Sequence, residues 1–174
     1  MKKNLNRIIL MALLCFWASA CGDVYNSGST YRVNFTCNVS FSPYNVAQSM
    51  GQFISIRKTS SSKLLITKMD GTTHTQTLTE AKQLSVYLGL GGLILGTPTL
   101  NNDNAGLVCY DLACPACNLG SARVSFDDKG IAKCASCGNQ YDLNNGGILI
   151  EGKGRPLWNY RLTQSLDGSV QVHN

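Results

Sequence analysis

Tyr31-Arg32-Val33-Asn34-Phe35-Thr36-Cys37-Asn38-Val39-Ser40-Phe41 is the stretch whose pattern decides the class of fold. Apolar side chains stand at every second position, from Tyr31 to Phe41, and polar ones fill the gaps. Successive side chains of a strand point to opposite faces, so this period of two predicts a strand with one buried and one wet face. Ser42-Pro43-Tyr44-Asn45 stops it. Tyr44 to Met50 reads as a short helical stretch that Gly51 ends.

Outward from that strand the pattern repeats in shorter pieces. Strands are predicted at Phe53 to Ile56, Lys63 to Lys68, His74 to Leu78, Gly91 to Gly96, Leu107 to Asp111 and Ala122 to Phe126. Three more follow at Gly147 to Glu151, Trp158 to Thr163 and Ser169 to Val172. Turn chemistry separates several of them: Asp70-Gly71, Asp128-Lys129-Gly130, Asn145-Gly146-Gly147 and Asp167-Gly168. Many short strands at such spacing predict an all-β antiparallel barrel or sandwich and exclude α/β winding. No heptads, low-complexity tracts or internal repeats interrupt 31–174, which is read as a single domain.

The cysteines carry the chemistry. Cys114-Pro115-Ala116-Cys117 is followed, after sixteen residues, by Cys134-Ala135-Ser136-Cys137-Gly138. This C-x2-C-x16-C-x2-C spacing reads as a metal site built from Cys114, Cys117, Cys134 and Cys137. Two cysteines two residues apart sit on one tight turn with both sulfurs on the same side. Such a turn also aims backbone N–H groups at the sulfurs, which favours the thiolate. Gly138 follows the second pair, where a left-handed backbone is often needed. The competing reading is two disulfides, the ordinary fate of cysteines in an oxidising compartment. Cys37 and Cys109 fall in two different predicted strands, and they form either one disulfide or two separate buried thiols.

Other residues bear on function mostly by exclusion. His74 lies in a Thr-rich polar strand and His173 is the penultimate residue, so neither accompanies a cysteine pair. No Ser-His-Asp or Cys-His arrangement and no phosphate loop is present. Asp127 and Asp128 precede Lys129-Gly130 and read as turn residues. Gly89-Leu90-Gly91-Gly92 lacks the spacing and the helix of a nucleotide loop and reads as a bend between strands.

The N-terminus addresses the compartment. Met1-Lys2-Lys3 and Arg7 form a positive n-region, and Ile8 to Trp17 an apolar stretch too short to span a bilayer as a helix. Ala18-Ser19-Ala20-Cys21 places small residues directly before a cysteine. This order resembles the lipobox of bacterial lipoproteins, although Ala18 stands where that family usually has leucine. The resemblance implies that residues 1–20 are a signal peptide, and that Cys21 becomes the first residue of the mature chain and carries a diacylglycerol on its thiol. The expected partner is then a membrane of the cell envelope, with residues 21–30 as the tether. An ordinary signal peptide that happens to meet a cysteine is the alternative. Without Lys2, Lys3 and Arg7 the net charge of +5 falls to about +2, and the remaining cations are scattered, which argues against nucleic acid. The mature chain, about 150 residues, suffices for one domain with a sizeable core.

A second resemblance rests on Ala113-Cys114-Pro115-Ala116-Cys117-Asn118-Leu119-Gly120, on Lys133-Cys134-Ala135-Ser136-Cys137-Gly138-Asn139-Gln140-Tyr141-Asp142-Leu143, and on Gly146-Gly147, Glu151-Gly152 and Arg155-Pro156-Leu157. Together these look like the cluster-binding subdomain of Rieske proteins. That family has two ligand loops, an aromatic shortly after the second, and a glycine- and proline-containing turn into a closing strand. Asp167 to Val172 is similar to its final hairpin. The strands from Tyr31 to Gly96 look like the base of the same fold in lipoproteins of Bacteroidetes-type bacteria. The resemblance implies a Rieske-like β domain with its metal-binding subdomain at about 105–157. The ligands depart from the family, whose loops carry C-x-H and C-x-x-H. Cys137 stands where the second histidine would be, and Cys117 replaces the first in a loop one residue longer.

Four thiolates lower the potential that histidine ligands would raise, so quinol oxidation is not expected. The remaining occupants are Zn2+, a single iron, or an all-cysteine [2Fe–2S] cluster. Export as an unfolded chain disfavours a cluster assembled beforehand, and the reading leans to zinc. Four protein ligands leave no open position for substrate, so a structural site supporting a surface for an unknown protein partner is expected before an enzyme. Electron transfer through an iron–sulfur centre is the alternative. A thiol–disulfide role for one C-x-x-C pair is a third reading.

Overall fold

The alternation at 31–41 is realised in β1 (Val33–Asn38), where Val33, Phe35 and Cys37 are buried and Asn34 and Thr36 face solvent. The computed structural model describes residues 28–99 and 106–174. The expected signal peptide and Cys21 lie outside the described residues. A 3-10 turn at Tyr44–Gln48 follows β1, and Gly51 closes it with φ +72. Then come β2 (Gln52–Ser60), β3 (Lys63–Lys68), β4 (Thr73–Thr77), the helix α1 (Glu80–Ser85), β5 (Tyr87–Leu88), β6 (Leu93–Thr97) and β7 (Val108–Asp111). The chain continues through β8 (Val124–Phe126), β9 (Ile131–Cys134), β10 (Gln140–Asp142), β11 (Ile148–Glu151), β12 (Asn159–Gln164) and β13 (Ser169–His173).

The fold is mostly β, as expected, and its strand pairs are antiparallel. Nine strands form one sheet in the order β4-β3-β2-β6-β7-β12-β13-β1-β5, and β11-β10-β9-β8 form a second. The large sheet curls far enough for β1 and β13 to share a core with β2, β3 and β6, and Val33, Phe35, Val170 and Val172 meet Ile54, Ile56, Leu64 and Leu95 there. Its order ends at β4 and β5, so it does not close into a barrel.

A second core lies between the outer face of the large sheet and the small one. Phe53, Ile94, Tyr110 and Leu112 face Val124, Ala132, Tyr141 and Leu143 across it. Strands β2 and β6 are therefore covered on both faces, which is why Phe53-Ile54 and Leu93-Ile94-Leu95 read as unbroken apolar runs with no alternation.

Four elements were not legible in advance: α1, β5, β9 and β10. The last two are only four and three residues long and flank the second cysteine pair. They exist because the hairpin they form covers the outer face of the large sheet, a tertiary reason that local pattern does not carry. Helix α1 is built from good helix formers but buries none of its residues. It is tied down from outside, where the Lys58 ammonium donates to the Val86 and Gln83 carbonyls at its C-terminal end, 2.7 and 3.2 Å away.

Candidate metal centre

Strand β7 delivers the first ligand loop. Its last residue, Asp111, is fully buried, and its carboxylate accepts four hydrogen bonds: from the N–H groups of Leu90 (2.7 Å), Gly91 (3.0 Å) and Ala113 (2.7 Å), and from the Tyr160 hydroxyl (2.6 Å). The glycine bend at 89–92 is thus clamped onto the root of the loop, its amides engaged by the chain's own carboxylate. A Cβ at Gly91 would lie 2.6 Å from the Ala113 nitrogen, so glycine is required by close approach. Burial pushes the Asp111 carboxyl above its ordinary pKa, and the Tyr160 hydroxyl and the Ala113, Leu90 and Gly91 N–H groups pull against that.

The two cysteine pairs are built alike. In the first, the Asn118 N–H donates to the Cys114 carbonyl (3.0 Å), and in the second the Gly138 N–H donates to the Cys134 carbonyl (2.9 Å). The residue after each second cysteine is left-handed, with φ +51 at Asn118 and +80 at Gly138. Asn118 is the one non-glycine residue with positive φ among the described residues. Asparagine is among the few side chains that tolerate this region. Its place after a C-x-x-C pair, matching Gly138, was a signal in the sequence that the motif reading passed over.

The loops bring Cys114, Cys117, Cys134 and Cys137 together, with all four sulfurs within 4.8 Å of one another. The Cys114 and Cys137 sulfurs are 3.5 Å apart, and those of Cys117 and Cys134 are 3.8 Å apart. A covalent S–S bond is about 2.05 Å, so these are four thiols and not two disulfides. Four sulfurs at about 2.3 Å from one tetrahedral ion are separated by about 3.8 Å along each edge, and the two distances match that cage. Cys114 and Cys134 are buried in the core beneath the loops, Cys117 is half-buried and Cys137 is exposed.

Negative charge is shared unevenly over the cluster. Burial opposes ionisation of Cys134, yet the Cys137 and Ser136 N–H groups, with the Cys114 and Cys137 thiols, bring its pKa down to about 7. Burial and the neighbouring Cys137, Cys134 and Cys114 sulfurs push Cys117 up to about 12, and Cys137 is raised as well, by burial first. Ionisation is thus favoured at Cys134 and opposed at Cys117 and Cys137, and a divalent cation bound among them would offset the charge of further thiolates.

The supporting groups come from the second strand pair. Tyr141, on β10 and wholly buried, places its hydroxyl 3.3 Å from the Cys114 sulfur. The Asn139 amide donates both to that hydroxyl (3.3 Å) and to the Lys153 carbonyl (2.9 Å), so it ties the 152–154 turn to the centre. Burial raises the Tyr141 phenol well above its usual pKa, which keeps it a donor. The resemblance drew attention to an aromatic after the second loop; the part played by Asn139 had no signal in the sequence.

The other candidates lie elsewhere. His74 is exposed on β4, and His173, on β13, meets the Thr163 hydroxyl at 3.1 Å. Asp127 forms the β8–β9 turn, its carboxylate accepting from the Lys129 and Ile131 N–H groups, with Asp128 exposed beside it. Cys37 and Cys109 are two free, buried thiols in the core of the large sheet. Among the described residues, the four cysteines are the one group of His, Cys, Asp and Glu side chains close enough to hold a metal. No helix among them is long and apolar enough to cross a membrane. No protein-family model matches the chain, and no curated protein matches it either.

Proposed function

We propose that this chain is a cell-envelope lipoprotein, anchored through Cys21, whose Rieske-like β domain holds one structural Zn2+ on Cys114, Cys117, Cys134 and Cys137. The observation that carries the metal is the size of the cage. All four sulfurs lie within 4.8 Å of one another, which suits a single ion bound by all of them. A [2Fe–2S] cluster divides its four cysteines between two irons and sets the two pairs further apart. Zinc brings no redox chemistry; it locks the loop after β7 to the β9–β10 hairpin. Four protein ligands leave no position for substrate or activated water, so the centre supports a surface and performs no hydrolysis.

A single iron in the same cage is the second reading, and one observation favours it. Cys137 is exposed, giving electrons a short path to a partner, while Tyr141 donates to a ligand sulfur as groups that tune a redox centre do. Metal analysis and an absorption spectrum of residues 22–174, purified without oxygen, decide between them. One zinc per chain and no visible band supports the structural reading. One iron with thiolate-to-iron bands replaces it with electron transfer, and iron with inorganic sulfide means a cluster. No metal at all leaves the four thiols without the assigned role.

A further inference from the structure

Residues 28–31 are fastened beside the first ligand loop. Gly28 bridges in parallel to Asn159 at the start of β12, and the Ser29 N–H donates to the Asn159 carbonyl at 3.3 Å. Tyr31 packs edge-on against Trp158, ring centroids 5.2 Å apart. Asn174 holds the same segment from the C-terminus, donating to the Tyr31 carbonyl at 3.0 Å and to the Ser29 carbonyl at 3.4 Å.

Two of these residues reach the ligand loop, one at each end of it. At the root, the Ser29 hydroxyl donates to the Tyr160 hydroxyl at 3.1 Å. Tyr160 donates in turn, at 2.6 Å, to Asp111, the carboxylate that also takes the Ala113 N–H. At the exit, the Tyr31 hydroxyl donates to the Asn118 carboxamide. Among the described residues, Tyr31 is the one partner of that side chain. Asn118 follows Cys117, holds the left-handed position at φ +51 and closes the turn onto the Cys114 carbonyl at 3.0 Å. Cys114 and Cys117 therefore lie between two points gripped from the N-terminal segment. The grips act together, because the Tyr31 N–H donates to the Ser29 hydroxyl oxygen at 3.1 Å.

The segment itself is held lightly. Its backbone pairs through one isolated bridge and forms no strand; Ser29 and Tyr31 are half-buried, and Gly28 and Thr30 are exposed. Such a stretch opens locally at low cost. Once open, it leaves the Asn118 carboxamide without its partner, and the loop gains freedom that must be lost again to bring four sulfurs onto one ion. A metal on the four cysteines imposes the same order from the other side. Each event lowers the ordering cost of the other, and by linkage the effect is reciprocal. We infer that residues 28–31 are a strap whose docking and the binding of a metal at the four cysteines favour each other, with Tyr31 and Ser29 as positioning residues for the first ligand loop. The inference rests on the reading of the four cysteines as a zinc site.

The test measures both directions of the linkage in the mature chain. Zn2+ affinity is read by competition against a chromophoric chelator for the parent, for Tyr31→Phe and for Asn34→Ala. Tyr31→Phe keeps the ring against Trp158 and loses only the hydroxyl. Asn34→Ala is the control: it loses a side-chain hydrogen bond to the Ser85 carbonyl on neighbouring β1, away from the loops. The expected result is about fivefold weaker zinc binding in Tyr31→Phe and no change in Asn34→Ala. In the unsubstituted chain, zinc should slow amide hydrogen exchange at Ser29 and Tyr31 while leaving Gly71, in the β3–β4 turn, unaffected. Equal affinity in parent and Tyr31→Phe, an equal loss in Asn34→Ala, or exchange at Ser29 indifferent to zinc overturns the strap and leaves the zinc site standing. A parent chain that takes up no zinc overturns both.

Discussion

Replacing Tyr141 by Phe removes one oxygen from the floor of the four-cysteine cluster and leaves the shape of the side chain unchanged. The lost hydroxyl is 3.3 Å from the Cys114 sulfur and 3.3 Å from the Asn139 amide nitrogen. Asn139 keeps its bond to the Lys153 carbonyl at 2.9 Å, so no buried donor is orphaned outright. In the metal-loaded protein the hydroxyl donates to a thiolate, a charge-assisted bond of about 1.5–3 kcal/mol; facing a neutral thiol the same contact contributes about 0.5–1.5 kcal/mol. The difference, about 1–1.5 kcal/mol, belongs to metal binding and corresponds to roughly a tenfold weaker Kd for zinc. Competition against a chromophoric chelator at fixed pH measures it. Tyr110→Phe is the control, since that buried hydroxyl donates to the Leu143 carbonyl at 3.2 Å in the same core but touches no sulfur. It should lower stability comparably and leave zinc affinity unchanged. Equal affinity in Tyr141→Phe and the unsubstituted protein, or an equal loss in both variants, would refute the claim that this phenol stabilises a ligand thiolate.

Asp111→Asn should remove a pH dependence. The raised carboxyl pKa means that the folded state holds its proton more tightly, so this group's contribution to stability falls as pH rises from about 4 through the folded-state pKa. Urea midpoints across that range should show the slope in the parent and lose it in the variant. Gly138→Ala meets no atom within 4 Å, so its cost is backbone strain alone at φ +80 and should be about 1–2 kcal/mol by urea denaturation. Gly138→Asn should cost less, because Asn118 already holds the equivalent position. Cys37, whose pKa burial pushes up to about 12, and the fully enclosed Cys109 should stay unreactive to a thiol reagent until global unfolding. Labelling of either at the rate of Cys137 in the metal-free protein would contradict the burial described.

The sequence by itself determined the secondary structure class and the four cysteines that could hold a metal. Period two at Tyr31–Phe41 needs only the geometry of a strand to place Val33, Phe35 and Cys37 inside, and β1 does so. The C-x-x-C spacing needs only a tight turn to place two sulfurs side by side, which is why all four metal-site cysteines were legible. Gly138 was legible for the same local reason. Tertiary structure decided what no short window encodes. Strands β9 and β10 are too short to announce themselves and form because their hairpin covers Phe53, Ile94 and Tyr110. Whether Cys37 and Cys109 pair depended on strand order, and β1 and β7 are not neighbours in the sheet. The Asp111 clamp joins residues about twenty apart in the chain, and the contact of Tyr31 with Asn118 joins residues 87 apart. Such contacts arise only after the sheet has curled and the small sheet has packed on it, because hydrogen-bond reach is a few ångströms in space and has no counterpart in sequence distance.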